Sequence, residues 1–320
     1  MQYLGIEIGG TKLQLGVGAG DGKLAGLWRA EVDVKAGPGG IRRQITAALP
    51  ELLGQGAGKQ PVIRGVGIGF GGPVDDATRT IIKSHQIEGW DNFPLAEWIA
   101  EIVGAPAVLG NDADVAGLAE AHFGAARGLS PVFYITIGSG IGGGLIIQGE
   151  IYRGCGRGAA EIGHLGVLVP HPGGLERRPL EEVASGWAIQ QHARSEIGRR
   201  PGQGARLLQL AGKVEQITAR HVAQAAEEGD EFALSILQQA WSYLADGICQ
   251  VIALLSPRCI VIGGGVSLMG ERILFEPLRK LVAERVFKPF ANCYDIVPAA
   301  LGEEMVVHGA LALARRRLQG

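Results

Sequence analysis

The sequence is poor in cysteine, in aromatic residues and in net charge, and no long unbroken apolar run occurs in it. Four cysteines, Cys155, Cys249, Cys259 and Cys293, are scattered through 320 residues without a CxxC pair. That spacing argues against a disulfide framework and a thiolate metal cluster, and it fits a reducing compartment. Lysine and arginine total 30 against 32 aspartates and glutamates, a formal net charge of −2. No basic field is available to hold nucleic acid or an anionic membrane. No segment approaches the roughly 20 apolar residues of a membrane-spanning helix. The opening MQYLGIEIGG enters a strand pattern at once. No leader peptide is therefore expected, and the expected location is the cytoplasm. A length of 320 residues exceeds what one core usually fills, which points to two domains.

Glycine is abundant, at 52 residues, and it gathers at the ends of apolar runs in GGTK, GFGGP, GSGIGGG and GGGVS. Glycine in such places marks backbone at positive φ or backbone laid close to a ligand. The first third of the chain reads as a meander of YLGIEIGG, LQLGVG and LAGLWRAEV, then a helix over 39–54 and the strand VIRGVGIGF. A helix near 94–103 and the strand APAVLG follow, and a further helix opens at Asn111–Asp112. SPVFYITIGSG and GGGLIIQG form a second hairpin, after which helices are expected near 181–199, 218–228 and 230–255. CIVIGG is a buried strand, CYDIV a short one, and the last helix spans 304–318 with Arg315, Arg316 and Arg317 in its final turn. Cations there complement the helix dipole and do not imply DNA binding. IEIGGTKLQLGV and ITIGSGIGGGLII share one form, strand–glycine turn–strand, about 130 residues apart. Two such units suggest two related α/β domains facing each other across a cleft.

GIGFGG and GSGIGG both satisfy GxGxxG, yet the first runs into PVDD and the second into the strand LIIQG. A dinucleotide-binding turn must hand over to a helix, so neither qualifies. GxxxxGK followed by serine or threonine is absent, as are HRD and DFG. What remains is a glycine turn between two strands, used twice. Its backbone N–H groups converge on a concave anion site, to which Thr11 or Ser139 adds a hydroxyl and Lys12 a charge. Asn111 and Asp112 follow an apolar strand and open an Ala-rich helix. Residues of these types cap helices, and a carboxylate at a strand's C-terminal edge can equally serve as a base toward a ligand. Both readings stand on the residues alone.

GIEIGGTK, GVGIGFGGPVD, GNDADVAGLAE, TIGSGIGGG, EIGH, ASGWAI and VIGGGVS occur in this order along essentially the whole chain. In order and spacing they resemble the ROK-family sugar kinases, the bacterial glucokinase-like members of the actin-like ATPase superfamily. The fold class implied is α/β, with two RNase H-like domains of the actin and hexokinase type around a hinged cleft. On that pattern residues 1–112 plus 305–320 form a smaller N-terminal domain and 113–304 a larger C-terminal one. The resemblance implies phosphorylation of a hexose hydroxyl by ATP with Mg²⁺, glucose to glucose 6-phosphate before others. Fructose, mannose, allose, N-acetylglucosamine and N-acetylmannosamine are alternative acceptors, polyphosphate an alternative donor, and a non-catalytic sugar sensor an alternative role. A homodimer is implied by the resemblance alone. The DNA-binding repressor branch is not expected, because the chain begins directly at the first strand of the core.

The resemblance also assigns residues. Asp112 is the general base, in preference to nearby Asp114, and Asn111 binds the sugar. Glu161 and His164 of EIGH and Glu181 bind sugar hydroxyls, with Glu182 as the alternative to Glu181; Gly71 and Gly72 lend backbone to the sugar. Glu7, Gly9, Gly10, Thr11 and Lys12 of the first hairpin, Gly138, Ser139 and Gly140 of the second, and Gly264 and Gly265 face the nucleotide. Trp90 is expected to pack rather than to stack on a ligand.

Three departures from the family pattern stand out. Glu7 occupies a place where relatives usually carry aspartate, which lengthens a carboxylate thought to reach the nucleotide magnesium. Gln86 stands where asparagine is common. Most relatives hold a structural zinc with CxCGxxGC between EIGH and ASG; this chain has VLVPHPGGLERRP there, with prolines and no cysteine. Only His164 and His171 lie near, too few for a tetrahedral site. Metal analysis of the purified protein is expected to find no stoichiometric zinc; close to one zinc per chain would overturn this reading.

Overall fold

A computed structural model describes residues 1–54, 62–75, 77–84, 87–200 and 202–318. β1 (Gln2–Ile8), β2 (Lys12–Gly18) and β3 (Gly26–Glu31) form the expected meander, followed by α1 (Gly37–Gly54) and β4 (Ile63–Phe70). The short strands β5 (Val74–Asp75) and β6 (Thr80–Ile81) precede α2 (Leu95–Val103), β7 (Ala107–Asn111) and α3 (Asp112–His122). β8 (Val132–Ile137) and β9 (Ile141–Ile147) flank the second glycine turn, and β10 (Glu150–Ile151) follows. Next come β11 (Gly166–His171), β12 (Gly174–Pro179), α4 (Glu181–Ala184), α5 (Gly186–Arg199), α6 (Ala205–Ala211), α7 (Ala219–Glu227) and α8 (Glu231–Leu255). The chain ends with β13 (Cys259–Gly263), α9 (Glu276–Arg285), β14 (Asp295–Pro298) and α10 (Met305–Leu318).

Two differences from the expected elements have local causes. The helix expected over 181–199 is broken at Ser185, whose extended backbone ends α4 while its hydroxyl accepts from Ala188 N–H at 3.2 Å and starts α5. The segment with prolines in place of cysteines is a hairpin, β11–β12, paired from Gly166↔Pro179 to His171↔Gly174. Val167 and Val169 supply its buried face.

The chain divides into two compact units, Met1–Tyr134 with Gly144–Ala159 and Ala300–Gly320, and Ile135–Gly143 with Ala160–Ala299. The boundary expected at 112 thus falls inside the first unit, because α3 packs with that unit's own helix α10. A methyl group on Gly309 of α10 would lie 1.9 Å from the Val115 carbonyl oxygen, so the two helices touch backbone to backbone.

The first unit holds a five-stranded sheet in the order β3-β2-β1-β4-β7. The meander is antiparallel, and β1, β4 and β7 run parallel. Leu4, Ile6, Ile8, Leu13, Leu15, Ile68 and Phe70 are buried in its core. α10 crosses the sheet over Gly67, where an added methyl would come within 1.8 Å of the Ala310 carbonyl oxygen. This glycine of GVGIGF serves helix–sheet packing rather than a ligand.

In the second unit β13 and β14 are parallel and α8 buries Ile236, Leu237, Trp241, Leu244 and Ile248. Trp241 donates its indole N–H to the Ile273 carbonyl at 2.9 Å. The chain's other five-stranded sheet, which is not confined to the residues of this unit, has the order β10-β9-β8-β13-β14. Among the described residues no helix is long and apolar enough to cross a membrane.

Glu120 of α3 is wholly buried, and its carboxylate accepts three backbone N–H bonds, from Ala125 at 2.8 Å, Ala300 at 3.0 Å and Leu301 at 2.9 Å. It anchors the returning C-terminal segment to α3. Glu120→Ala removes the shared acceptor of three backbone N–H groups and is expected to lower the unfolding free energy by about 3 kcal/mol. Urea unfolding measures it, and a loss below about 1 kcal/mol would show that the three bonds are not what holds this segment.

Candidate active site

Three parallel strands of the first unit end abreast. Ile8 of β1 pairs with Phe70 of β4, and Phe70 with Asn111 of β7. The first glycine hairpin, the Gly71–Gly72 loop and the Asn111–Asp112 junction therefore leave one C-terminal sheet edge, the place where ligands gather in α/β folds. Gly71 N–H donates to the Ile8 carbonyl at 2.9 Å, which holds the glycine loop against the end of β1.

Asn111 is the N-cap of α3: its Oδ1 accepts from Ala113 N–H at 2.9 Å and Asp114 N–H at 3.4 Å. Its Nδ2 donates to the Gly72 carbonyl at 3.0 Å, so the cap also grips the glycine loop. Asp112 opens the helix and accepts from Ala113 N–H at 2.9 Å. A methyl placed on Gly71 would stand 3.4 Å from Asp112 Oδ2, which sets the carboxylate directly beside the loop backbone. Both roles read from the sequence are compatible here, because the amide takes the cap and the carboxylate lies at the loop.

Gly9 N–H donates to the Lys12 carbonyl at 2.9 Å and closes the Gly9–Gly10–Thr11–Lys12 turn. Lys12 Nζ donates to the Glu303 carbonyl at 2.8 Å and stands 3.3 Å from Glu7 Oε1. Glu7 is buried, and its Oε2 has no hydrogen-bond partner. Burial pushes its pKa up to about 7; Lys12 opposes that rise, while the charges of Asp112 and Glu303 add to it.

In the second unit the turn Gly138–Ser139–Gly140 is closed by Gly138 N–H to the Gly140 carbonyl at 2.9 Å, and Gly186 N–H donates to the Gly138 carbonyl at 2.8 Å. Glu181 Oε2 accepts from Ile141 N–H at 3.4 Å, and Glu181 Oε1 stands 3.8 Å from His164 Nδ1. Glu182 is engaged elsewhere, by Arg178 at 3.0 Å. The β11–β12 hairpin sets this pairing: Leu180 N–H donates to the Leu165 carbonyl at 2.8 Å, so the residues flanking its two ends, His164 and Glu181, come side by side. Glu161 opens the 3-10 turn that carries His164, whose N–H donates to the Glu161 carbonyl at 3.0 Å.

Gly264 follows β13 at φ +84, and a methyl there would lie 2.5 Å from the Ile137 carbonyl oxygen, so only glycine fits against β8. A cavity of about 920 Å³ in this unit is lined by Gly138, Ser139 and Gly265, and by Trp187, Gln190 and Met269. The last three were not foreseen. Trp187, half exposed beside the glycine that opens α5, was the detectable one; Gln190 resembles any residue on a solvated helix face. Trp90 is wholly buried, with Phe70 and Phe93 edge-on at 5.7 and 5.3 Å. Gln86 lies outside the described residues. Among the described residues no group of three or more His, Cys, Asp and Glu side chains could hold a metal ion.

A family model described as the ROK family matches residues 3–317. The glucokinase of Thermotoga maritima is 32% identical, with 100% of this chain and 99% of that protein covered. The glucokinase of Streptomyces coelicolor is 32% identical over 98% of this chain and 97% of that protein. Among solved structures, the ROK family glucokinase from Streptomyces griseus in complex with glucose and AMPPNP is similar at a TM-score of 0.82 and 31% identity, covering 99% of this chain and 100% of that one.

The environment of Glu7 has a measurable consequence. Its folded pKa of about 7 lies above the usual 4.5. Between those values the folded chain binds a proton that the unfolded chain has released, so this group's contribution to stability declines as pH rises through the window. Relative to the parent, Glu7→Gln is expected to gain stability from pH 4.5 to 7 and to show a constant difference below 4.5. Thermal melts across that range, without nucleotide, test it; a difference independent of pH would contradict the assignment.

Proposed function

Because this chain belongs to the ROK family, we propose that it is a sugar kinase that transfers the γ-phosphoryl group of ATP to a hexose, glucose being the first substrate to expect. Full-length similarity to glucokinases supports the reaction. The AMPPNP named with the Streptomyces griseus enzyme, an ATP analogue, supports the donor. The observation that carries the reading most directly is the shared sheet edge at Ile8, Phe70 and Asn111, which brings a glycine hairpin, a glycine loop and a carboxylate to one place.

The chemistry asks mainly for positioning and for stabilisation of charge. A sugar hydroxyl oxygen attacks the γ-phosphorus, the bond to the β-phosphate oxygen breaks, and the hydroxyl proton passes to Asp112. The bond from Ala113 N–H orients that carboxylate at the N-terminus of α3. Asn111 spends its oxygen on the helix cap and one N–H on Gly72. An amide nitrogen carries two hydrogens, so the second N–H serves the sugar. Gly71 and Gly72 lend backbone to the sugar, and Glu161, His164 and Glu181 fix its other hydroxyls. Thr11, Lys12 and the backbone of Gly9 and Gly10 serve the phosphates from the first hairpin, and Gly138, Ser139 and Gly140 from the second. Gly264 and Gly265 border the nucleoside. Mg²⁺ suits the orphaned oxygen of Glu7, and Glu7 would hold it through water; the ion would neutralise phosphate charge.

Asp112→Asn keeps the cap and the fold and should lose kcat by roughly two to four powers of ten, the scale of a positioned base. A coupled ADP-release assay on a panel of hexoses measures both this loss and the preferred sugar, with polyphosphate substituted for ATP as a donor control. Near-parental turnover by the variant would refute Asp112 as the base.

A further inference from the structure

Arg153 follows β10 and belongs to none of the motifs assigned a role above. Its side chain is only 10% exposed, and it joins two other segments of the first unit. Nη1 donates to Asp114 Oδ2, and Nη2 donates to the Val74 carbonyl at 3.3 Å. Asp114 is the third residue of α3 and is itself buried. Four residues beyond, Arg157 Nε stands 3.6 Å from Asp75 Oδ2 on the same loop.

The loop that starts at Gly71 is thus tied down at two carbonyls. Asn111 holds Gly72 and Arg153 holds Val74. Both ties end on the first turn of α3, one through the cap and one through Asp114, with Asp112 lying between them in sequence. A guanidinium is a rigid planar fork that can satisfy a carboxylate and a carbonyl at once; an ammonium is a point charge on a flexible stem. Asp114 is a buried carboxylate two residues from the base, on the same turn, and the guanidinium carries a charge opposite to it. Such a buried charge is tolerated only when paired.

We propose that Arg153 is a positioning residue for phosphoryl transfer. By binding Asp114 and the Val74 carbonyl together, it sets the separation between the Gly71–Gly72 backbone and the first turn of α3, and so fixes where the sugar hydroxyl sits relative to Asp112. This rests on the reading of Asp112 as base and of the glycine loop as a sugar contact. Arg157 and Asp75 sit further out, more exposed, and support the outer end of the same loop.

Two variants test it. Arg153→Lys keeps a positive charge for Asp114 and gives up the fork. Arg153→Met combined with Asp114→Asn removes both charges, so neither is left buried alone. Folding is checked by circular dichroism and melting, and kinetics are measured below the melting range. Each variant is expected to raise KM for glucose, or lower kcat/KM for it, by about tenfold or more, since displacements near 1 Å carry penalties of this order. KM for ATP should stay within about twofold of the parent, because the guanidinium acts on the loop that serves the sugar. A folded variant with the parental glucose KM and kcat, or one in which the KM values of both substrates rise together, would overturn the proposal. If the parent itself forms no ADP with any hexose, the kinase reading fails first and takes this inference with it; activity in the parent with unchanged kinetics in the variants sinks this inference alone.

Discussion

The first unit turns on one amide. Asn111 accepts two N–H bonds from the opening turn of α3 and donates to the carbonyl of Gly72. A helix start needs its exposed N–H groups satisfied, and a loop that leaves a buried strand needs its carbonyls satisfied. One side chain meets both needs, so the place where the helix begins and the place where the glycine loop runs are decided together. Asp112 is the next residue, and its position beside Gly71 follows from that coupling. Asn111 takes the cap, and the carboxylate of Asp112 lies at the loop, where the proposed chemistry needs it.

Acidic groups buried in this unit are handled in three ways. Glu120 is satisfied by three backbone donors, and Asp114 is held by a guanidinium. Glu7 has one lysine at 3.3 Å and an oxygen left over, with Asp112 and Glu303 adding repulsion. The first two bind segments together. The third is poorly compensated, and poorly compensated groups concentrate where a ligand is to complete the set. The resemblance assigns this position to the nucleotide, which is the role proposed for it.

Glycine serves two purposes, and local sequence does not separate them. Gly67 and Gly309 are there because α10 lies against the sheet and against α3 with no room for a side chain. Gly264 combines positive φ with close approach to β8. The turns at Gly9–Gly10 and Gly138–Gly140 are closed by their own backbone bonds, from Gly9 N–H to the Lys12 carbonyl and from Gly138 N–H to the Gly140 carbonyl. In the second unit a plain β-hairpin does the work of alignment: the strand pairing between Gly166 and Pro179 draws His164 and Glu181 together.

Much of the local architecture was legible in the sequence because it rests on short-range rules. Apolar runs closed by glycine became β1, β2, β4, β8 and β9, and the asparagine–aspartate pair became the start of α3, whereas the break at Ser185 in the helix expected over 181–199 was not read from the sequence. The order of motifs was enough to place the chain in its family. What a buried acid touches was decided only by the tertiary structure. Glu120 meets Ala300 across 180 residues, Arg153 meets Val74 across 79, and Glu181 stands by His164 while Glu182 pairs with Arg178. Periodicity and turn chemistry are written in neighbouring residues. Desolvation, ion pairing and the hydrogen bonds of buried groups arise only after distant segments meet, and the same glutamate has a different pKa and a different use in each surrounding.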